Sequence, residues 1–228
     1  MATIGGCGLR LASAAGLILC VALPAAGEER AAAASAAWAP APPPAGAYTL
    51  DPSHASLLFR IDHLGFSHYT ARFRHFEAAL QFDPAYPERA SVRASVDVRS
   101  LETDFPEPAK IDFNAMLLGE QWLDAAQFPL MRFHSTSVDA MDGNRLHIRG
   151  ELELRGVTRP MLLEATYNGG YAGHPMDPRA RIGFSAHGTL KRSEFGIVAG
   201  IPPPGSHMGV GDEVEVIIEA EFSGPPLK

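Results

Sequence analysis

From about residue 47 onward, apolar and polar residues alternate with a period of two, and this constrains the fold more than any single motif does. Leu57, Phe59 and Ile61 alternate with Leu58, Arg60 and Asp62, and Val92, Ala94, Val96 and Val98 with Arg93, Ser95, Asp97 and Arg99. Leu146, Ile148, Leu152 and Leu154 stand against His147, Arg149, Glu151, Glu153 and Arg155. Met161, Leu163, Ala165 and Tyr167 form another apolar row. Ile182, Phe184 and Ala186 face away from Arg181, Ser185 and His187, and Val214, Val216, Ile218, Ala220 and Phe222 from Glu213, Glu215, Glu219 and Glu221. Successive side chains of a strand point to opposite faces, so each run predicts a strand with one apolar and one charged side. Phe73 to Phe82 reads as a further strand, with an irregularity near Glu77-Ala78-Ala79 of the kind a bulge produces.

Seven or eight such strands need a common interior and protection for their edges. Closing one sheet into a barrel supplies both, and a two-sheet sandwich satisfies the same alternation. One segment departs from the period: between Pro108 and Trp122, Ile111, Met116 and Leu117 fall at helical spacing, which predicts a short helix placed as a lid over one end. Arg155-Gly156-Val157-Thr158 lies between two strands and reads as a tight hairpin whose glycine adopts a positive φ.

The first 46 residues follow a different rule. Arg10 is the only charge before Glu28, and Leu11 to Leu23 is an apolar run well short of the ~20 residues that span a bilayer. With Ala25-Ala26-Gly27 behind it, this is the pattern of a signal peptide over residues 1–27, and it predicts a periplasmic or secreted protein after cleavage. Residues 28–46 are mostly Ala and Pro and read as a disordered tether, leaving a folded domain over 47–223. Both cysteines, Cys7 and Cys20, fall in the leader, so cleavage leaves neither a disulfide nor a thiolate metal site. Loss of Arg10 takes the net charge from −7 to −8, which speaks against nucleic acid or an anionic surface as an electrostatic partner.

Few residues suggest chemistry. Nine histidines are scattered with no compact ligand spacing, so no metal is expected. His54, three residues after Asp51, reads as a turn-stabilising side chain. Arg192-Ser193-Glu194-Phe195-Gly196 lacks the Gly-x-Ser-x-Gly elbow and has no evident Asp or His partner, so it reads as a charged loop tied to the rim by Arg192, without a catalytic serine. No catalytic residue and no cofactor are expected. By the pattern alone the inward apolar sets (Leu57, Phe59, Ile61, Phe73, Phe76, Met131, Phe133, Phe184 and Ile218) read as a packed interior, with the lining of a pocket as the alternative. His63 continues the row 57, 59, 61 and would point inward at a strand end, where an imidazole can hydrogen-bond a ligand oxygen or a neighbouring backbone group.

Several short stretches together carry a family resemblance. They are Tyr48-Thr49-Leu50-Asp51-Pro52-Ser53-His54, Phe59 with His63-Leu64-Gly65, and Phe128-Pro129 with Phe133. Arg155-Gly156-Val157-Thr158, Arg192-Ser193-Glu194-Phe195-Gly196 and Asp212-Glu213-Val214 follow in the same order. From Tyr48 to about Phe222 the chain resembles the YceI-like family of exported, lipocalin-like proteins that bind polyisoprenoids. The resemblance implies an all-β, eight-stranded antiparallel barrel with a short helical lid. It also implies an isoprenoid lipid, a prenyl quinone or polyprenyl phosphate, held in an apolar cavity without catalysis. It turns the inward rows into ligand-binding candidates and adds Met116 and Trp122 of the helical segment, with Phe195, as lid or mouth contacts. The chain departs from the family at Ala55, where Ser is usual, and over Phe113-Asn114-Ala115-Met116-Leu117, where the family often has Arg-Asp-x-His-Leu. The second departure removes polar groups near the expected mouth and leaves the head group open. A lipid-modifying enzyme in the same cavity, or a stress-related structural protein with a filled barrel, would share the alternation. An exposed strand edge or an apolar rim would support a homodimer.

Overall fold

A computed structural model describes residues 41–174 and 176–226; the leader and the tether up to Pro40 lie outside the described residues. Among the described residues ten strands follow one another: β1 (Gly46–His63), β2 (Ser67–Phe73), β3 (Phe76–Phe82), β4 (Ser91–Asp97), β5 (Leu101–Glu102), β6 (Leu130–Ala140), β7 (Arg145–Leu154), β8 (Val157–Tyr171), β9 (Arg179–Lys191) and β10 (Val210–Pro226). A six-residue helix, α1 (Phe113–Leu118), lies between β5 and β6. All neighbours are antiparallel. The order β10-β9-β8-β7-β6-β4-β3-β1, with β1 paired back onto β10 from Thr49↔Ser223 to His63↔Val210, closes a ring of eight. Among the described residues closure leaves no long edge unpaired, which decides between the barrel and the sandwich.

Two long strands bend at one corner. The first half of β1 pairs with β3 and its second half with β2, so β2 and β3 act as one strand broken at Arg74-His75. The break is there and not at Glu77-Ala78-Ala79, which pair without interruption with Ser95, Ala94 and Arg93. The neighbouring strand turns at the same place through the 3-10 turn Val98–Ser100, after which β5 pairs with β2. Ser100 satisfies the broken ladder: its carbonyl accepts from the Arg74 amide at 3.1 Å and its Oγ from the His75 amide at 3.0 Å.

Two bulges reset which residues face inward. Between Leu50 and Ala55, β1 holds three more residues than the facing stretch of β10, so the inward set changes from Tyr48 and Leu50 to Leu57, Phe59 and Ile61. In β6 one extra residue, Thr136, moves the inward set from Met131 and Phe133 to Val138.

The end of the barrel where β1 starts and β10 finishes is plugged. Tyr48, Leu50, Leu80, Phe82, Ile182 and Phe222 form a buried cluster there. The Tyr48 ring packs so closely on Gly224 that a Cβ at that position would stand 2.2 Å from it. Burial, with the Tyr167 phenol nearby, pushes the Tyr48 hydroxyl up to about 12. That hydroxyl donates to the Pro44 carbonyl, and the Ala41 carbonyl accepts from the Ala172 amide at 2.8 Å. The last residues of the Ala/Pro tract are therefore fastened to the barrel, a role that composition alone does not reveal.

The three extra residues of the β1 bulge carry a charged network. Asp51 accepts from Arg181 and from the Ser53 amide, and pairs with His54 Nδ1 at 3.0 Å; Arg181 also pairs with Asp177. These bonds, Arg181 first and His54 next, hold the Asp51 carboxyl well below the usual carboxylate range. A depressed folded pKa contributes stability that is present above the ordinary value of about 3.9 and is lost as pH falls through the folded pKa. Thermal unfolding followed from pH 7 to pH 2 should therefore show a melting temperature that declines below about pH 4. Asp51→Asn should lower it by about 2–4 °C at pH 7 and flatten the acid limb.

Candidate functional site

Inside the ring lies a cavity of about 620 Å³. Its walls are the inward rows of all eight strands. The small side chains among them (Ala78, Ala90, Ala94, Ala186) leave space that bulkier residues would have filled. At the plugged end, Leu50, Leu80, Phe82 and Phe222 form the floor. At the other end the loops after β1, β5 and β9 gather. Phe105, Phe113, Leu117, Trp122 and Leu123 lean over the barrel there, with Ile197 and Val210 beside them. Among the described residues that line the cavity, His63 is the only exposed one, which places the opening at this end.

The lid segment is held by polar bonds that leave its apolar face free. Asp112 caps α1 by accepting from the Ala115 amide at 2.9 Å. Asn114 Oδ1 accepts from both the backbone and the hydroxyl of the buried Thr103. Phe113 stacks edge-on against Tyr69 and packs on Phe105. Farther along, Arg155 donates to the carbonyls of Glu120 and Gly196, both at 2.7 Å, so the β7–β8 hairpin fastens the lid to the turn after β9. That hairpin turns through two left-handed residues, Arg155 (φ 53) and Gly156 (φ 72), as a two-residue antiparallel connection requires.

Besides the indole of Trp122, three of the residues that line the cavity bring polar groups. Tyr69 donates its hydroxyl to the Thr103 carbonyl at 2.9 Å. Arg192 is 4% exposed, and its guanidinium donates to the carbonyls of Gly211, Ile197, Ala199 and Val210 while lying 5.4 Å from the Trp122 ring. Burial draws its pKa down. His63 stands at the opening. Ser193 donates its hydroxyl to Asp212 at 2.8 Å and its amide to the other carboxylate oxygen, an Asp partner that the sequence did not suggest, and the pair of bonds fastens this loop to the start of β10.

Eleven of the thirteen residues singled out from the sequence line this one cavity: Leu57, Phe59, Ile61, His63, Phe73, Phe76, Trp122, Met131, Phe133, Phe184 and Ile218. Two do not. Met116 lies on the outer side of α1 and is 38% exposed, whereas Phe113 and Leu117, four residues apart and hence on one helical face, line the cavity in its place. Phe195 is 2% exposed and packs behind the wall in a cluster with Phe73, Leu154 and Ile197, because the 3-10 turn Arg192–Phe195 folds it back. The i, i+4 spacing of Phe113 and Leu117 was visible in the sequence; nothing local announced the part Phe105 or Ile197 plays.

The fold also assembles Asp51, His54 and Glu221 with ligand atoms within 4.8 Å of one another. The guanidinium of Arg181 already sits in this cluster, paired with Asp51 and 3.7 Å from Glu221, so a cation is built into it.

Comparison with known proteins is consistent across sequence and structure. A family model described as a YceI-like domain matches residues 48–222. A UPF0312 protein of Shewanella oneidensis is 32% identical over 186 residues, covering 80% of this chain and 91% of that protein. The protein YceI of Salmonella arizonae is 35% identical over 170 residues, covering 74% and 81%. Among solved structures, Burkholderia cenocepacia BcnA superposes with a TM-score of 0.64 at 22% identity, covering 75% of this chain and 98% of that one. A polyisoprenoid binding domain from Saccharophagus degradans superposes with a TM-score of 0.56 at 14% identity, covering 78% and 98%. At these identities the two superpositions speak to the fold alone.

Proposed function

The chain belongs to the YceI-like family, and from that premise we propose that it is an exported binding protein whose barrel holds the apolar tail of an isoprenoid lipid, a prenyl quinone or a polyprenyl phosphate. The observation that carries this reading is the cavity itself. A prenyl chain offers no hydrogen bonds, so its site needs length, dryness and apolar walls. A space of about 620 Å³, floored by Phe82 and Phe222 and open beside His63, has those properties. The polyisoprenoid-binding domain with the same fold is in keeping with it. In this reading the head group stays near His63, whose imidazole can meet an oxygen at the opening.

Binding is favoured over catalysis by how the polar groups are employed. An enzyme acting on a lipid here would need at least two side chains converging on the reacting bond. The Tyr69 hydroxyl and the Arg192 guanidinium are committed to backbone carbonyls, and a filled structural barrel would have no such cavity. The leader pattern of residues 1–27 is the basis for proposing a periplasmic or secreted location.

Native mass spectrometry of the protein purified from its host, followed by lipid extraction, is expected to show a bound isoprenoid. A protein that arrives empty and takes up no prenyl quinone in vitro would sink the proposal.

A further inference from the structure

The four most exposed large apolar side chains among the described residues are Met176, Phe66, Met208 and Val198, at 89, 82, 70 and 62%. Met176 belongs to the plugged end. The other three lie at the open end, on two loops that touch. Phe66 tips the β1–β2 hairpin, and Val198 and Met208 flank the proline-rich connection into β10. The Leu64 amide donates to the Gly209 carbonyl at 2.9 Å, and Gly65 packs against His207.

These tips are held in place. The hairpin turns through Leu64 (φ 60) and Gly65 (φ 72), the Asp62 carboxylate accepts from the Gly65 amide, and the Phe66 amide donates to the His63 carbonyl. On the other loop, Arg192 grips the carbonyls of Ile197 and Ala199, on either side of Val198. A fold that fixes a phenylalanine, a methionine and a valine outward into water accepts a cost that a partner surface would remove.

The charge pattern says what kind of surface that is. Neither residues 63–68 nor residues 197–210 contain an Asp, Glu, Lys or Arg, in a chain where 20% of residues are charged. The protein as a whole carries a net charge of −7, so it has no attraction for an anionic face. The two loops also border the opening, since His63, Ile197 and Val210 line the cavity.

We infer that Phe66, Val198 and Met208 form a docking rim that seats the open end of the barrel in the interface of a lipid bilayer of low surface charge. This rests on the reading of the cavity as a lipid site. A tail passing between bilayer and barrel through such a seated mouth never crosses water, and an aromatic tip with apolar neighbours is suited to the headgroup–acyl boundary.

The test places one environment-sensitive fluorophore at Met208→Cys or, as a control, at Met176→Cys in the full chain carrying Cys7→Ser and Cys20→Ser. Position 176 lies at the end where residue 41 joins the barrel, so it reports any membrane association that begins in the N-terminal segment. With phosphatidylcholine vesicles, the label at 208 should shift to the blue and become shielded from aqueous iodide, while the label at 176 stays unchanged. Adding Phe66→Ser should raise the vesicle concentration for half-effect about tenfold or more, the loss expected for one buried phenylalanine. Phosphatidylglycerol in the vesicles should weaken the response at low salt. An equal shift at both positions, or none at 208, would overturn the inference. So would a shift at 208 that needs no vesicles and grows with protein concentration, because the rim would then be covered by a second copy. Prenyl quinone uptake is measured separately by calorimetry: if it persists while the vesicle response fails, the rim is wrong and the cavity reading stands. If it fails while the response persists, the reverse holds.

Discussion

Replacing Ala94 and Ala186 together by tryptophan is expected to weaken lipid binding about a hundredfold while leaving the barrel folded. Ala94 lies on β4 and Ala186 on β9, which are diametrically opposed in the ring of eight, and both line the cavity. An indole from each wall would occupy space the tail needs. Losing about 110 Å² of apolar contact, at about 25 cal/mol per Å², costs ~2.8 kcal/mol and a hundredfold in affinity. The fold should tolerate the change because the new side chains enter empty volume and not a packed core; a melting temperature within a few degrees of the parent's is expected. His187→Trp, one residue along β9 and on the outer face beside Glu164, should leave binding unchanged. Calorimetric titration with a prenyl quinone reads all three proteins. Undiminished affinity in the double variant would show that the tail lies elsewhere.

The second large effect concerns the mouth. Arg192→Met keeps most of the apolar stem but strands the carbonyls of Gly211, Ile197, Ala199 and Val210, each of which now accepts from the guanidinium. Removing one side of a buried charged network costs about 3–5 kcal/mol, which for a chain of this size is a fall of roughly 10 °C in melting temperature. Arg192→Lys should recover only part of it, since an ammonium has three donors and cannot reproduce the planar fork that spans four acceptors. Hydrogen exchange should show the loss concentrated in residues 197–211. A methionine variant within 1 kcal/mol of the parent by urea denaturation would mean the carbonyls find water instead.

How much of this was legible depended on whether the information is local. Leu57, Phe59 and Ile61, or Phe184 and Ala186, announce an inward face because strand geometry repeats every two residues, and their neighbours in sequence settle the phase. Where a bulge resets that phase, as at Asp51–His54 or Thr136, the rule loses its thread: the count of residues on the partner strand is what makes the bulge. The break falls at Arg74-His75 and not at Glu77–Ala79 for the same reason, because it answers a corner in β4 and β5. Met116 shares the helical segment, yet a six-residue helix has one face toward the barrel, and Phe113 and Leu117 own it. Arg192 could be named from the sequence as a rim fastener, but its four acceptors lie 5 to 19 residues away and appear only once the loop folds.

By itself the sequence determined an antiparallel β-domain, the inward side of nearly every strand and an N-terminal segment foreign to that domain. All three are set by alternation, turn chemistry and composition within short windows. Only the tertiary structure decided that the sheet closes on itself through β1 and β10, that the closed interior keeps about 620 Å³ unfilled, and that the opening is bordered by two loops without Asp, Glu, Lys or Arg. Closure is a property of eight strands at once, and an empty interior is the difference between the ring's volume and the summed volume of its inward side chains. No stretch of chain contains either quantity.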